Sequence, residues 1–280
     1  MDPLPSTDTI APALFIGHGA PFYALKKNPF TPTWVNFMKT VPSTAVTAII
    51  VVSAHWYEPG LAVTANERPE TIHDFGGFEQ ALHEVQYPAK GSPSLCQKVA
   101  ELLFPEKVEQ SLDWGYDHGA WTILMHTHPK ADIPVIQLRL DQSKTPTQLF
   151  ELGRKLAPLR RQGVMILGSG NVSHNLRQAR FDMFGDTETA ADWNKRFTND
   201  VQKWMLTKDW ESLQNCGKHP DFKMASPSPD HFLPILVIAG ASEASDQVKV
   251  ITEGYDAWSL SMNSYAFVPQ YGKAETKVEL

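Results

Sequence analysis

The sequence predicts an α/β fold: a single domain with a central, mostly buried β-sheet flanked by helices. Three observations predict it. Short apolar runs rich in β-branched residues recur along the chain, "ALFIG", "TAIIVVSA", "IPVIQLRL", "GVMILGSG" and "SYAFV", and their lengths suit buried strands. Between them lie amphipathic stretches at helical spacing, an alternation that favours a sheet covered on both faces. Across the 280 residues no internal repeat, low-complexity tract or compositional break marks a linker. One domain over 13–270 is therefore expected, between a flexible leader at 1–12 and a flexible tail at 271–280.

The leader has neither the basic start nor the apolar centre of a secretory signal. The first strand, "ALFIG", runs into Gly17-His18-Gly19, and "TAIIVVSA" runs into His55 and Trp56. From Glu67 to Gly91, residues Pro69, Gly76, Gly77 and Pro88 interrupt any periodicity, which predicts a long surface excursion of the kind that covers active sites. A helix is expected after Ser92-Pro93, with Leu95, Val99 and Leu102-Leu103 on one side; a second is marked by Leu149, Leu152, Leu156 and Leu159. "GVMILGSG" breaks at Gly168-Ser169-Gly170, where Asn171 is placed to cap a turn before His174. The longest helix is expected within "ETAADWNKRFTNDVQKWMLT". Pro227 and Pro229 then fix the approach to Asp230 and His231, Pro234 suits a first helical turn, and "SYAFV" closes the order.

Composition narrows the function. Net charge is −6 and no Lys/Arg stripe forms, so nucleic acid is not expected as a partner. No run approaches the roughly 18 apolar residues of a membrane span, and a cytoplasmic location follows as the expectation. Cys96 and Cys216 stand alone, giving neither a disulfide framework nor a thiolate metal site; two reduced, partly buried thiols are expected. Ten histidines, by contrast, point any metal chemistry to nitrogen and oxygen ligands. Oligomeric state has no signature in one chain.

In open α/β sheets, ligands collect at the carboxyl ends of strands. His18, His55 and His174 each follow an apolar strand and are expected on one such face. Each also has a plainer account. His18 is otherwise a turn residue between glycines that permit a tight bend, and His55 a packed core histidine beside Trp56. His118, in "DHGAW", faces Asp117, which either holds a ring nitrogen or turns the chain. His231 either points out of a helix start or lies exposed beside an Asp230 cap. His126 and His128 share the i, i+2 spacing of a strand face but read better as an exposed pair. His73, His83 and His219 read as surface or lid residues, with His73 the best placed to touch a substrate.

"LFIGHGAP", "VVSAHW", "DHGAW", "GSGNVSHNL" and "SPDHFLPILVIAG", in that order, with "IPVIQLRLD" between them, resemble the class III extradiol ring-cleaving dioxygenases, in the branch of 4,5-DOPA extradiol dioxygenases. The resemblance implies a mononuclear non-haem iron site, Fe(II), held by His18, His55 and His231. It implies His174 as acid/base residue, with a possible role as fourth ligand when Zn(II) fills the site, and His118 as a donor to substrate or oxygen. A small catechol and O₂ are the implied partners, with Trp56, Tyr116, Trp121 and His73 as candidate substrate contacts. Many relatives carry His-Pro where this chain has Ser226-Pro227, which puts side-chain recognition in question. Two alternatives use the same residues: a zinc hydrolase, with metal-activated water, and a non-catalytic, Memo-type binding protein.

Overall fold

In the computed structural model, residues 9–271 are described. Residues 1–8 of the expected leader and 272–280 of the expected tail lie outside them. The rest of the leader is not loose: Ala11 is buried, donates its N–H to the Arg160 carbonyl and accepts from Arg160 Nε.

Among the described residues ten strands form: β1 Ala13–Gly17, β2 Ala48–Glu58, β3 Leu61–Thr64, β4 Val108–Ser111, β5 Val135–Asp141, β6 Val164–Gly170, β7 Gln247–Thr252, β8 Tyr255–Asp256, β9 Leu260–Ser261 and β10 Ser264–Val268. Eight make one mixed sheet in the order β4-β3-β5-β2-β6-β1-β10-β7, and β8-β9 form a separate pair. The centre, β5-β2-β6-β1, is parallel, while β10 runs antiparallel to both β1 and β7. All five sequence-predicted strands are present.

The helices are α1 Thr31–Met38, α2 Gln80–His83, α3 Pro93–Leu103, α4 His118–Thr127, α5 Pro146–Leu156, α6 Asp192–Thr207, α7 Trp210–Gln214, α8 Phe222–Ala225 and α9 Pro234–Gly240. Helix α5 starts from a capping box, Thr145 with Gln148, and α9 carries Pro234 at its first position as expected. Helices α3, α5, α6 and α9 cover one face of the sheet; α1 and α4 cover the other.

The pleat decides what faces what. Phe15, Ile50, Val52 and Ile166 point to the α5–α9 side; Ile16, Ile49, Val51 and Leu167 point to the α4 side. Counting on by twos puts His18, His55 and Ser169 on the α4 side, at the carboxyl end of the parallel strands. Register completes the alignment: Gly17 pairs with Gly170, and both Ile16 and Ser53 pair with Ser169.

Candidate metal centre

Four elements deliver histidines to this end of the sheet. His18 leaves β1, and its N–H donates to the Gly170 carbonyl at 3.0 Å. His55 lies within β2, beyond the expected strand end, where the pairing with β5 bulges between Val52 and Tyr57. His174 follows β6. His231 arrives on the turn before α9, because Gly170 has no side chain: a Cβ there would lie 2.0 Å from the His231 carbonyl oxygen, which instead accepts from Asn171 N–H. The glycines beside His18 serve Met262: a Cβ on Gly17 would meet its backbone at 3.0 Å, and one on Gly19, at φ +64°, would meet its side chain.

His18, His55 and His231 each offer a nitrogen within 4.8 Å of the others. Hydrogen bonds behind two of the rings fix which nitrogen that is. Ser169 Oγ donates its one hydrogen to the Gly119 carbonyl at 2.6 Å, so at 2.9 Å it accepts from His18 Nδ1–H. His231 Nδ1 is held at 3.0 Å by Asp230 Oδ2, and His55 Nδ1 lies 3.5 Å from Asp74 Oδ2. Nε2 of His18 and of His231 is thereby left to offer a lone pair. His18 Nε2 and His55 Nε2 face each other at 3.1 Å, and His231 Nε2 is buried with no partner. Three ring nitrogens that converge in a buried site, one of them without any partner, fit a divalent metal with imidazole ligands held by groups behind the rings.

Electrostatics agree. Burial first, then the neighbouring imidazoles, hold His18, His55 and His174 well below the ordinary histidine value, which favours their neutral forms. Burial opposes ionisation of Asp230 and Asp74, but hydrogen bonds from His231 and His118 respectively outweigh it and keep both carboxylates low.

The other expected residues divide. His174 stacks on His231, with ring centroids 3.5 Å apart, and His118 lies over His55 at 3.8 Å, so both border the centre. Asp117 does not hold the His118 ring. It caps α4 through Ala120 N–H and binds Ser53 and Gln137; burial, then the charge of Asp74, pushes its carboxyl up to about 6. Asp74, which sequence reasoning passed over, takes that place.

Trp56, Tyr116, Trp121 and His73 do not reach the centre as substrate contacts would. The pleat turns Trp56 away from His55, onto Trp114 and beneath Arg139. Tyr116 is fully buried, its hydroxyl turned to the carbonyl oxygen of Val135. Trp121 donates to the Ile72 carbonyl, and His73 contacts the Val85 carbonyl oxygen; both rings stand behind Phe75. Phe75 presents the aromatic face to His118, centroids 5.5 Å apart. Ser226 is buried and donates to the Ser228 carbonyl.

Two further expectations need correction. His126 and His128 lie at the end of α4, not on a strand, and His128 is buried. Of the two readings of His231, burial removes the exposed one beside Asp230. Cys96 and Cys216 are free and fully buried, which pushes their thiols up to about 11 and about 12.

Parallel strands that end on a cluster of buried histidines fit a metal enzyme of the α/β class, and comparison with known proteins places it further. The family profile of the catalytic LigB subunit of aromatic ring-opening dioxygenase matches residues 12–268. The chain belongs to this family, the class III extradiol dioxygenases, and is a metal-dependent aromatic ring-opening dioxygenase that uses O₂ on a small aromatic substrate. It is 43% identical over 262 residues to a 4,5-DOPA dioxygenase extradiol of Escherichia coli K12, covering 92% of this chain and 95% of that protein. It is 33% identical to the protein of the same name from Beta vulgaris, covering 94% and 98%. A crystal structure of an uncharacterized Escherichia coli K12 protein superposes with a TM-score of 0.77 at 39% identity, covering 92% of this chain and 99% of that one. Among the described residues no helix is long and apolar enough to cross a membrane.

Proposed function

We propose that the metal is iron(II), held by His18, His55 and His231, and that the substrate is a small DOPA-like catechol. The single observation that carries this is the convergence of one ring nitrogen from each of the three histidines within 4.8 Å. Three neutral imidazoles add no negative charge to a divalent ion, so the centre favours an anionic ligand with two adjacent oxygens, as a catecholate has. Bound there, iron(II) supplies the one-electron chemistry that lets O₂ react with an aromatic ring.

The chain's own residues do the rest. His174, kept neutral by burial, accepts a proton from the catechol on binding and returns one as the ring opens. His118 stabilises charge as it develops on oxygen. Phe75 walls the site beside His118 and excludes water. Zinc fits the same nitrogens without redox chemistry, binding catechol with no turnover. Two buried free thiols agree with a reducing, cytoplasmic location.

The test is anaerobic loading with iron(II), then air and a panel of catechols, following O₂ uptake and the yellow ring-opened product. Turnover that persists with zinc and without O₂ sinks the proposal.

A further inference from the structure

We infer that Asp74 is a positioning residue of this centre: a single carboxylate, carried on the excursion between 67 and 91, holds the rings of His55 and His118 together. The inference rests on the proposed ligand set. Asp74 Oδ1 accepts the His118 backbone N–H at 2.9 Å and lies 2.9 Å from its Nδ1, off the ideal N–H line; Oδ2 lies 3.5 Å from His55 Nδ1. Among the described residues it is the only carboxylate in ion-pair contact with either ring. The rings it touches are 3.8 Å apart at their centroids, one a ligand and the other facing the substrate.

The excursion is built to deliver this group. Tyr116 N–H donates to the Glu70 carbonyl and Ile72 N–H to the Tyr116 carbonyl, each at 2.7 Å, and Trp121 Nε1 donates to the Ile72 carbonyl at 2.9 Å. The backbone is pinned two residues before Asp74. Tyr116 and Trp121, expected from sequence to stack on substrate, instead anchor the strap that carries the carboxylate. A carboxylate behind a ligating histidine fixes ring and tautomer, and one shared with a second histidine also fixes the angle between the two.

The experiment compares wild type with Asp74→Asn and Glu79→Gln. Glu79 is another carboxylate of the same excursion, exposed and paired with Lys26. Cobalt(II) titration without substrate reads the His55 arm through affinity and the visible spectrum; steady-state kinetics of the iron-loaded enzyme read the His118 arm. For Asp74→Asn, cobalt affinity should fall and kcat should drop about 10- to 100-fold, while KM changes by less than about threefold. Glu79→Gln should match wild type in all of these. An Asp74→Asn protein with wild-type cobalt spectrum and kcat overturns the inference, as does an equal loss in Glu79→Gln, which would assign the effect to the strap alone. A wild-type chain that takes up no cobalt overturns the centre itself and the inference with it.

Discussion

The imidazoles of His174 and His231 lie face to face, ring centroids 3.5 Å apart and planes 2° from parallel. The stack holds His174 beside the ligand set without using either of its nitrogens, and its backbone N–H is held separately by the Ala225 carbonyl. A residue so placed is free to exchange protons. His174→Ala should therefore keep metal and catechol binding while kcat falls by about 10²- to 10⁴-fold, the usual worth of a general acid/base. Equilibrium binding of catechol to the zinc-loaded variant, beside turnover of the iron-loaded one, checks both halves.

Gly119 packs tightly behind the centre. A Cβ there would lie 2.6 Å from Ser53 Oγ, 2.9 Å from His55 Cδ2 and 3.1 Å from Ser169 Oγ, and Ser169 is what holds His18. Gly119→Ala should displace two ligands at once, weakening metal affinity by about 10-fold or more and costing about 1–3 kcal/mol of stability through overpacking. Metal titration and urea denaturation of the same preparation separate the two losses.

The convergence of His18 and His55 was legible because each follows an apolar strand whose pleat sets which way it points, and that of His231 because it opens an apolar segment behind two prolines. The same pleat misled for Trp56, whose neighbour His55 takes the site face. Strands β3, β4 and β7 escaped notice because they are short or half-exposed, as in the alternating "QVKVIT". Helix α4 escaped because it is buried nearly all round, so "HGAWTILMHT" shows no polar face. Asp74 had no signal at all: it lies in an aperiodic loop, and its hydrogen-bond partner His118 is 44 positions away.

Arg160 and Asp246 form a fully buried bidentate pair at 2.6 and 3.1 Å, and the guanidinium also donates to the Ala11, Ala241 and Phe267 carbonyls. Arg160→Met would leave a buried anion and orphaned carbonyls, for a cost of about 3–5 kcal/mol. Adding Asp246→Leu should recover part of that loss and not all, since the carbonyls remain without a donor. Arg160 lies at the sheet end opposite the histidines, so kcat per folded molecule should stay unchanged. Urea midpoints of both variants, with activity normalised to folded protein, check this.

His128 gives a pH dependence that can be isolated from the metal centre. Burial outweighs the opposing charge of Asp132 and lowers it to about 4. A histidine depressed in the folded state binds its proton more readily when unfolded, so stability rises with pH between about 4 and the unfolded value of about 6.5. The penalty is absent above that window, builds as pH falls through it, and reaches about 3 kcal/mol at the acid end. His128→Asn removes this group, so the gap between its unfolding free energies at pH 7 and pH 4.5 should be smaller than in wild type. The comparison belongs in metal-loaded protein, where the ligand histidines contribute equally to both chains. An equal gap in the two proteins would place the acid sensitivity elsewhere.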